Sequence, residues 1–250
     1  MLSEDALVRA LERVGRRAPV RFDEVTRSTQ ATALDMAAAG APEWTLVAAG
    51  HQTEGRGRLG RVWRDEPGRA LTCSLVLRPT LEPEAGGLLT LLAGTALALA
   101  SRELADQRTV CKWPNDLLVA GRKAGGILAE SRVSEGRFEY VVVGVGVNLG
   151  APPPDLPEAG AVQAEADELL EAFLSSFARG YEPEHPAFAG AVVSAYREVC
   201  ATIGTRVQAT TSDGAVVVGE AVDVDELGGL VVHTDVGDEV VRFGEVYHLE

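Results

Sequence analysis

The spacing of hydrophobic and polar residues predicts alternating helices and strands in the first part of the chain. Apolar residues recur every three or four positions from Leu2 to Val14, which predicts an amphipathic helix with Ser3 as its N-cap. A second helix is predicted over residues 28–40, between a Ser-Thr start and a glycine stop. Residues 84–106 are apolar on nearly every side, which predicts a long buried helix. Short apolar runs predict strands at residues 20–25, 45–52 and 70–79.

A series of strands is predicted next, over residues 109–113, 116–121, 123–133 and 137–150. The turns predicted at Gly121–Arg122 and Ser134–Gly136 are short, and short turns join antiparallel strands. This argues against a doubly wound parallel sheet. A proline-rich loop and two helices, over about 164–179 and 186–200, follow. The pattern therefore predicts an α+β fold with a mixed, largely antiparallel sheet flanked by helices.

From Gly204 onwards, polar and apolar residues alternate with a period of two. Turns are predicted at Asp213–Gly214, Gly228–Gly229 and Gly237–Asp238. Four or five short strands of this kind predict a small all-β barrel. We therefore divide the chain into a domain of residues 1–201 and a domain of residues 202–250.

Composition narrows the class of protein. The chain has 250 residues, 46% of them hydrophobic, and a formal net charge of −14. An acidic chain is poorly suited to general binding of nucleic acid or of a membrane surface, since both require basic faces. Three scattered cysteines indicate reduced thiols and give no metal spacing. No signal peptide is recognised, and the longest apolar run is shorter than the roughly 20 residues that span a bilayer, so we expect a cytoplasmic protein.

One stretch is unusually basic for such a chain. "GRGRLGRVWR", at residues 55–64, contains four arginines and three glycines at G-x-G-x-x-G spacing. A dinucleotide-binding turn of this pattern needs a helix directly after it, and Pro67 and Gly68 prevent one. The remaining interpretations are a mobile loop that brings arginines to an anionic ligand and a solvated basic loop without a ligand.

A second stretch favours the ligand-binding interpretation. "KWPNDLLVAGRK" places Lys112, Asn115, Asp116 and Lys123 within twelve residues. Lys112 follows an apolar strand, and a half-buried lysine is uncommon unless it is paired. An ordinary charged hairpin on the surface is the alternative. Lysines and arginines that converge from both stretches would stabilise a polyanion.

Taken together, the motifs resemble those of the biotin protein ligases. "GRGRLGRVW", "KWPND", "RKAGGILAE" and "VVVGVGVN" are similar to the family's motifs in order and spacing, as are "STQ" at residues 28–30 and the glutamine of "HQTEGRGR". The resemblance covers residues 22–150. It implies a class II synthetase-like catalytic domain followed by a small SH3-like C-terminal barrel.

The resemblance implies an enzyme that joins biotin to ATP and transfers it from biotinyl-5′-AMP to a carrier-protein lysine. The implied catalytic residues are Lys123, Arg58, Lys112 and Asp116. The implied biotin contacts are Ser28, Thr29, Gln30, Gln52, Gly55, Arg56, Gly57, Arg58, Lys123, Gly126, Gly144 and Gly146. The implied ATP contacts are Arg58, Arg61, Trp63, Lys112, Asn115 and Asn148. No dedicated metal ligand is expected, and Mg²⁺ would arrive with ATP.

The resemblance also bears on partners. The implied partner is a biotin carboxyl carrier protein domain. Some family members repress transcription through an N-terminal DNA-binding domain, but only about 21 residues precede the resembling region here, so we expect the short form and no DNA binding. The expected state is a monomer or a homodimer, and the expectation includes a dimer that forms only with ligand. A lipoate–protein ligase and a non-catalytic binding module are the alternative functions.

Overall fold

A mixed seven-stranded sheet forms the centre of the larger domain. The computed structural model describes residues 1–105, 107–211, 214–242 and 244–249. The strands lie in the order β1-β2-β3-β7-β6-β5-β4, and only β1 and β2 pair in parallel. Their bounds are β1 Val20–Asp23, β2 Leu46–Ala49, β3 Ala70–Leu77, β4 Thr109–Lys112, β5 Asp116–Val119, β6 Arg122–Ser134 and β7 Arg137–Asn148.

Helices cover the two faces of this sheet unequally. Helices α1 (Glu4–Arg13), α3 (Gly87–Ala105), α4 (Ala166–Gly180) and α5 (Phe188–Arg197) share the main core on one face. Helix α2 (Thr29–Ala38) packs alone against β2, β3 and β7 on the other face, around a small apolar cluster. Because α2 is short, part of that second face is left for a cavity.

The helices predicted from the apolar periodicity are confirmed. Ser3 caps α1 and Ser28 caps α2, each with its hydroxyl accepting a backbone N–H. The predicted helix over residues 84–106 begins instead with a 3₁₀ turn at Pro83–Gly86, and its last residue, Asp106, lies outside the described residues. By length and composition alone, Pro83–Ala105 could cross a membrane, but 67% of its most apolar window is buried inside the protein. That burial is typical of a core helix.

A separate five-stranded antiparallel sheet follows, in the order β11-β10-β9-β8-β12. The predicted turn at Gly237–Asp238 is wrong. Both residues belong to β11, paired with Thr234 and His233, so the chain reverses at Asp235–Val236. At the predicted turn of Asp213–Gly214, Asp213 lies outside the described residues. The strand bounds are β8 Arg206–Thr211, β9 Val216–Val224, β10 Leu230–Thr234, β11 Gly237–Val241 and β12 Gly244–His248.

Trp113 connects the two sheets. Its side chain is 2% exposed, its backbone N–H donates to Thr202 Oγ1 at 2.9 Å, and its indole Nε1 donates to the Gly228 carbonyl at 3.0 Å. These two buried hydrogen bonds, one donated by the backbone of Trp113 and one by its side chain, fix the C-terminal sheet against the β4–β5 turn. This contact brings β12 beside the open part of the large sheet. The α+β fold class is confirmed, while the exact division at residues 201 and 202 stays a prediction.

Candidate functional site

A cavity of about 550 Å³ lies on the face of the large sheet that α2 leaves uncovered. Its walls are the start of α2, strands β3 to β7, the loop of residues 53–64 and strand β12. Sixteen of the residues implied by the family resemblance line it: Thr29, Gln30, Gln52, Arg56, Gly57, Arg58, Arg61, Trp63, Lys112, Asn115, Asp116, Lys123, Gly126, Gly144, Gly146 and Asn148. Residues far apart in sequence thus meet at one place.

Two of the implied residues, Ser28 and Gly55, are not among the lining residues. The Ser28 hydroxyl accepts the Ala31 N–H at 3.4 Å and so serves as the N-cap of α2. At Gly55, a Cβ would stand 2.5 Å from the Trp63 carbonyl oxygen, and the Trp63 N–H donates to the Gly55 carbonyl at 2.9 Å. Both residues position other residues that line the cavity. Direct ligand contact by either of them stays a prediction.

One end of the cavity is neutral and densely hydrogen-bonded. Gln52 Oε1 accepts from Thr29, from its backbone N at 2.8 Å and its Oγ1 at 3.1 Å. Thr29 Oγ1 lies 3.0 Å from Ser74 Oγ, which donates to Gln30 Oε1 at 3.1 Å. Gln30 Nε2 in turn donates to the Val142 carbonyl at 3.1 Å. These amides and hydroxyls are fixed by one another, which suits a small neutral polar group of a ligand.

The other end carries the positive charge. Lys123 Nζ lies 2.5 Å from Asp116 Oδ1. Arg58 donates to Asn115 Oδ1 at 3.0 Å and to the Gly244 carbonyl at 3.2 Å. Burial lowers the pKa of the Arg58 guanidinium, although Asp116 and Glu245 oppose the shift. A half-buried guanidinium that is fixed in this way can form charge-assisted hydrogen bonds with an anionic ligand.

The remaining loop arginines are each paired with a carboxylate of another element. Arg56 Nη2 lies 3.0 Å from Glu130 Oε1, and Arg61 Nη2 lies 2.5 Å from Glu245 Oε1. The residue for which the sequence indicated no role, Arg64, pairs at 2.6 Å with Asp155 of the proline-rich loop. These exposed pairs hold the loop weakly, because such pairs contribute about 0–1 kcal/mol each.

Two glycines of β7 make room for protein side chains. A Cβ at Gly144 would stand 2.5 Å from Gln30 Oε1, and one at Gly146 would stand 2.6 Å from Trp63 Cε2. The Trp63 ring therefore lies directly on the sheet, with its Nε1 buried and without a hydrogen-bond partner among the described residues. A flat ring in this position offers a stacking surface to a second planar group.

Several lining residues were not identified from the sequence. Ser74 of β3 links Thr29 to Gln30, and its signal was a polar residue within an apolar strand. Glu245 and Tyr247 come from β12, and the Lys112 ammonium stands 5.9 Å above the Tyr247 ring. No local pattern could indicate these two, because only the docking of the small sheet brings them to the cavity.

The described residues, 1–105, 107–211, 214–242 and 244–249, contain no group of three or more His, Cys, Asp or Glu side chains arranged to hold a metal ion. The carboxylates at the charged end, Asp116 and Glu245, are each paired with a cation. A divalent ion at this site would therefore need oxygen ligands from the substrate as well.

Comparisons with known proteins agree with the geometry. A family model described as the biotin/lipoate A/B protein ligase family matches residues 22–148, and one described as the biotin protein ligase C-terminal domain matches residues 202–249. The chain is 34% identical over 236 residues to the bifunctional ligase/repressor BirA of Bacillus subtilis, covering 90% of this chain and 72% of that protein. It is 33% identical over 243 residues to the biotin–[acetyl-CoA-carboxylase] ligase of Mycobacterium tuberculosis, covering 90% and 86%.

Solved structures show the same fold. The biotin protein ligase from Aquifex aeolicus in complex with biotin and ATP has a TM-score of 0.74 to this chain at 23% identity, covering 93% of this chain and 99% of that one. The family models and the relatives confirm the family resemblance drawn from the motifs, and the alternative functions are not favoured. The chain is a ligase that belongs to the biotin protein ligase family.

Proposed function

We propose that this protein is a biotin–[biotin carboxyl-carrier protein] ligase. It activates biotin with ATP as biotinyl-5′-AMP, releasing pyrophosphate, and then transfers the biotinyl group to a lysine amine of a carrier protein domain, releasing AMP. The observation that carries the proposal is that one cavity has both a neutral, hydrogen-bonding end and a cationic end. The first suits the ureido ring of biotin, and the second suits the carboxylate and the phosphates.

The cationic end addresses the electrostatic difficulty of the first step. The biotin carboxylate must attack an α-phosphorus that is itself surrounded by negative charge. Lys123 and Arg58 lower this repulsion by holding both groups, and stabilisation of developing charge is usually the largest contribution to catalysis. Lys112, Asn115, Arg61 and Asn148 hold the nucleotide, and Trp63 stacks on the adenine ring. Mg²⁺ would arrive with ATP and would supply further positive charge to the phosphates.

The ion pair of Lys123 and Asp116 connects the two steps. The Lys123 ammonium lies 2.5 Å from the Asp116 carboxylate. When Lys123 turns towards the biotin carboxylate and the α-phosphate, Asp116 loses this partner. Its carboxylate then accepts a proton from the incoming carrier lysine, whose amine has a pKa of about 10.4 in model peptides and needs a base to become nucleophilic.

Mass spectrometry of a carrier domain tests the proposal directly. After incubation with this protein, biotin and Mg-ATP, the carrier should gain the mass of one biotin at one lysine. Isotope exchange between pyrophosphate and ATP should depend on biotin and not on lipoate, which separates this function from that of a lipoate–protein ligase. Absence of both signals with every carrier tried would contradict the proposal.

Substitution of Lys123 tests its assigned role. Lys123→Ala should lower adenylate formation at least a hundredfold, because the ammonium interacts with charge that develops in the transition state. The matched control is Arg122→Ala, which removes the neighbouring cation at the cavity edge and should change the rate only a few-fold. A Lys123→Ala enzyme with near-normal pyrophosphate exchange would show that the charge is supplied elsewhere.

The location of the protein in the cell, its DNA binding and its oligomeric state stay predictions. We expect the protein to work in the cytoplasm, where carboxylase carrier domains are made. We also expect no DNA binding and either a monomer or a homodimer.

A further inference from the structure

A buried carboxylate that the proposed chemistry does not use lies at the base of the loop of residues 53–64. The Asp65 side chain is 0% exposed. Its two oxygens accept the Gln52 N–H, at 3.3 Å for Oδ1 and 3.1 Å for Oδ2, and Oδ2 also lies 3.1 Å from His51 Nδ1. Burial raises the pKa of this carboxyl, while the hydrogen bonds from Gln52 and His51 favour its ionised form. Burying a carboxylate costs free energy unless it is hydrogen-bonded. A carboxylate that is kept buried here, together with its partners, therefore needs an explanation.

These three residues join the two ends of the loop. Gln52 directly precedes the loop and Asp65 directly follows it, and we call His51, Gln52 and Asp65 the loop base. Immediately inside this contact, Trp63 donates to the Gly55 carbonyl at 2.9 Å. The Asp65 carboxylate therefore fixes both ends of the loop, while residues 56–62 pair among themselves, with the Gly57 N–H donating to the Arg61 carbonyl at 2.8 Å.

The loop base also reaches the neutral end of the cavity. The Gln52 backbone is fixed by Asp65, and its side-chain Oε1 accepts both bonds from Thr29. From Thr29 the hydrogen bonds continue through Ser74 to Gln30. The carboxamide nitrogen of Gln52 is consequently turned towards Gly55, where a Cβ would meet it at 3.2 Å. A shift of the Gln52 backbone would disturb every polar group of this end.

We propose that Asp65 is a positioning residue, which holds Gln52 so that the neutral end of the cavity is preformed for biotin and the loop closes over the adenylate from a fixed base. This inference rests on the proposed function. It assigns Asp65 no contact with a substrate. It predicts that Asp65 governs the affinity for biotin and the retention of biotinyl-5′-AMP much more strongly than the affinity for ATP at the cationic end.

Three variants and one control test this role. Asp65→Asn keeps one oxygen that can accept the Gln52 N–H, Asp65→Ala keeps none, and His51→Ala removes the third member of the loop base. The control is Asp155→Asn, whose carboxylate also pairs with a residue of the loop, Arg64, but is half exposed. For each variant we would measure KM for biotin, KM for ATP, the rate of biotinyl-5′-AMP release and the melting temperature.

The expected effects on KM for biotin and on adenylate release differ in size between the variants. Asp65→Asn should raise KM for biotin about tenfold and Asp65→Ala up to about a hundredfold, the range expected when hydrogen bonds to a charged group are lost. Release of biotinyl-5′-AMP should accelerate in the same order, while KM for ATP stays within about twofold of the wild type. His51→Ala should show a smaller change of the same kind, and Asp155→Asn should behave like the wild type.

Two results would overturn the proposal. Asp65→Asn with an unchanged KM for biotin and unchanged release would show that Gln52 needs no such support. Parallel loss of biotin affinity, ATP affinity and melting temperature would show a purely structural role. If Asp65→Ala does not fold, Asp65→Asn and His51→Ala still decide the matter. Failure of the wild-type protein to form biotinyl-5′-AMP is a different outcome, which would refute the proposed function and this inference with it.

Discussion

At the scale of single residues, two glycines of β7 matter because their lack of a side chain leaves room for larger neighbouring side chains. The family resemblance implies that Gly144 and Gly146 contact biotin, yet Gln30 and Trp63 occupy the space beside them. A glycine here permits a larger neighbouring side chain to lie flat on the sheet. The two glycines thus determine where the hydrogen-bonding and stacking groups of the cavity stand.

Gly146→Ala is therefore expected to displace Trp63. The added Cβ would stand 2.6 Å from Trp63 Cε2, closer than atoms in contact can approach. If Trp63 stacks on adenine, KM for ATP should rise roughly tenfold, since small displacements of positioned groups are costly. Stability should fall by about 1–3 kcal/mol, as is usual for an overpacked site.

Gly126→Ala is the matched control, because Gly126 is the cross-strand partner of Gly146 and its Cβ would meet nothing nearer than 3.8 Å. It should leave the stability of the ligand-free protein and the fluorescence of its tryptophans unchanged. Equal changes in both variants would argue against a specific contact between Gly146 and Trp63.

At the scale of elements, the loop of residues 53–64 shows what sequence could predict. Pro67 and Gly68 exclude a long helix, and within this loop the structure has the short 3₁₀ turn Arg58–Gly60. The arginines were recognisable as a group, but their partners were not, because Arg56 and Glu130 are 74 residues apart and Arg64 and Asp155 are 91. Helices and strands follow from local periodicity, whereas ion pairs of this kind follow from the sheet order.

The loop is expected to become protected from proteolysis when substrates bind. The side chains of Arg56, Arg61 and Arg64 are 46%, 63% and 65% exposed, so trypsin should cleave the ligand-free protein here. With biotin and ATP together, anionic groups inside the cavity should draw the loop inward and slow cleavage about tenfold or more. Mass spectrometry of the fragments identifies the cut, and biotin alone or lipoate with ATP serve as controls. An unchanged rate of cleavage in this loop would contradict closure over the adenylate.

At the scale of the whole molecule, the C-terminal sheet is part of the site. Strand β12 contributes Glu245 and Tyr247 to the cavity, and its Gly244 carbonyl accepts a hydrogen bond from Arg58. Alternation with a period of two predicted a small β domain, but it indicates only which face of a strand is buried. It carries no information about where the sheet docks, and that is why the sequence did not identify these residues.

The attachment of β12 is expected to weaken at acid pH through His248. Its Nε2 lies 3.2 Å from Thr202 Oγ1, which already accepts the Trp113 N–H, so the hydroxyl proton is available to a neutral imidazole. Burial, and then the nearby Lys112 ammonium, lower the pKa of His248 below its ordinary value of 6.5. The unfolded chain therefore binds the proton more tightly than the folded protein, and the stabilising effect is lost as the pH falls from 6.5 through the folded pKa.

Thermal unfolding at about pH 7.5 and about pH 5.5 tests this sign, since only histidines are expected to change charge over most of that interval. The wild-type protein should lose more of its melting temperature than His248→Gln, whose amide oxygen can accept the Thr202 hydroxyl at either pH. His185→Gln serves as the matched control: His185 Nδ1 also accepts a hydrogen bond, from the Ala187 N–H at 3.1 Å, but it lies outside the contact of β12, so KM for ATP in this variant should keep the pH dependence of the wild type. If His248→Gln loses as much stability as the wild type, the histidine does not couple protonation to the docking of the small sheet. If it loses less, the same titration should appear in KM for ATP, because the strand that His248 anchors also holds the Arg58 and Arg61 partners in the cavity.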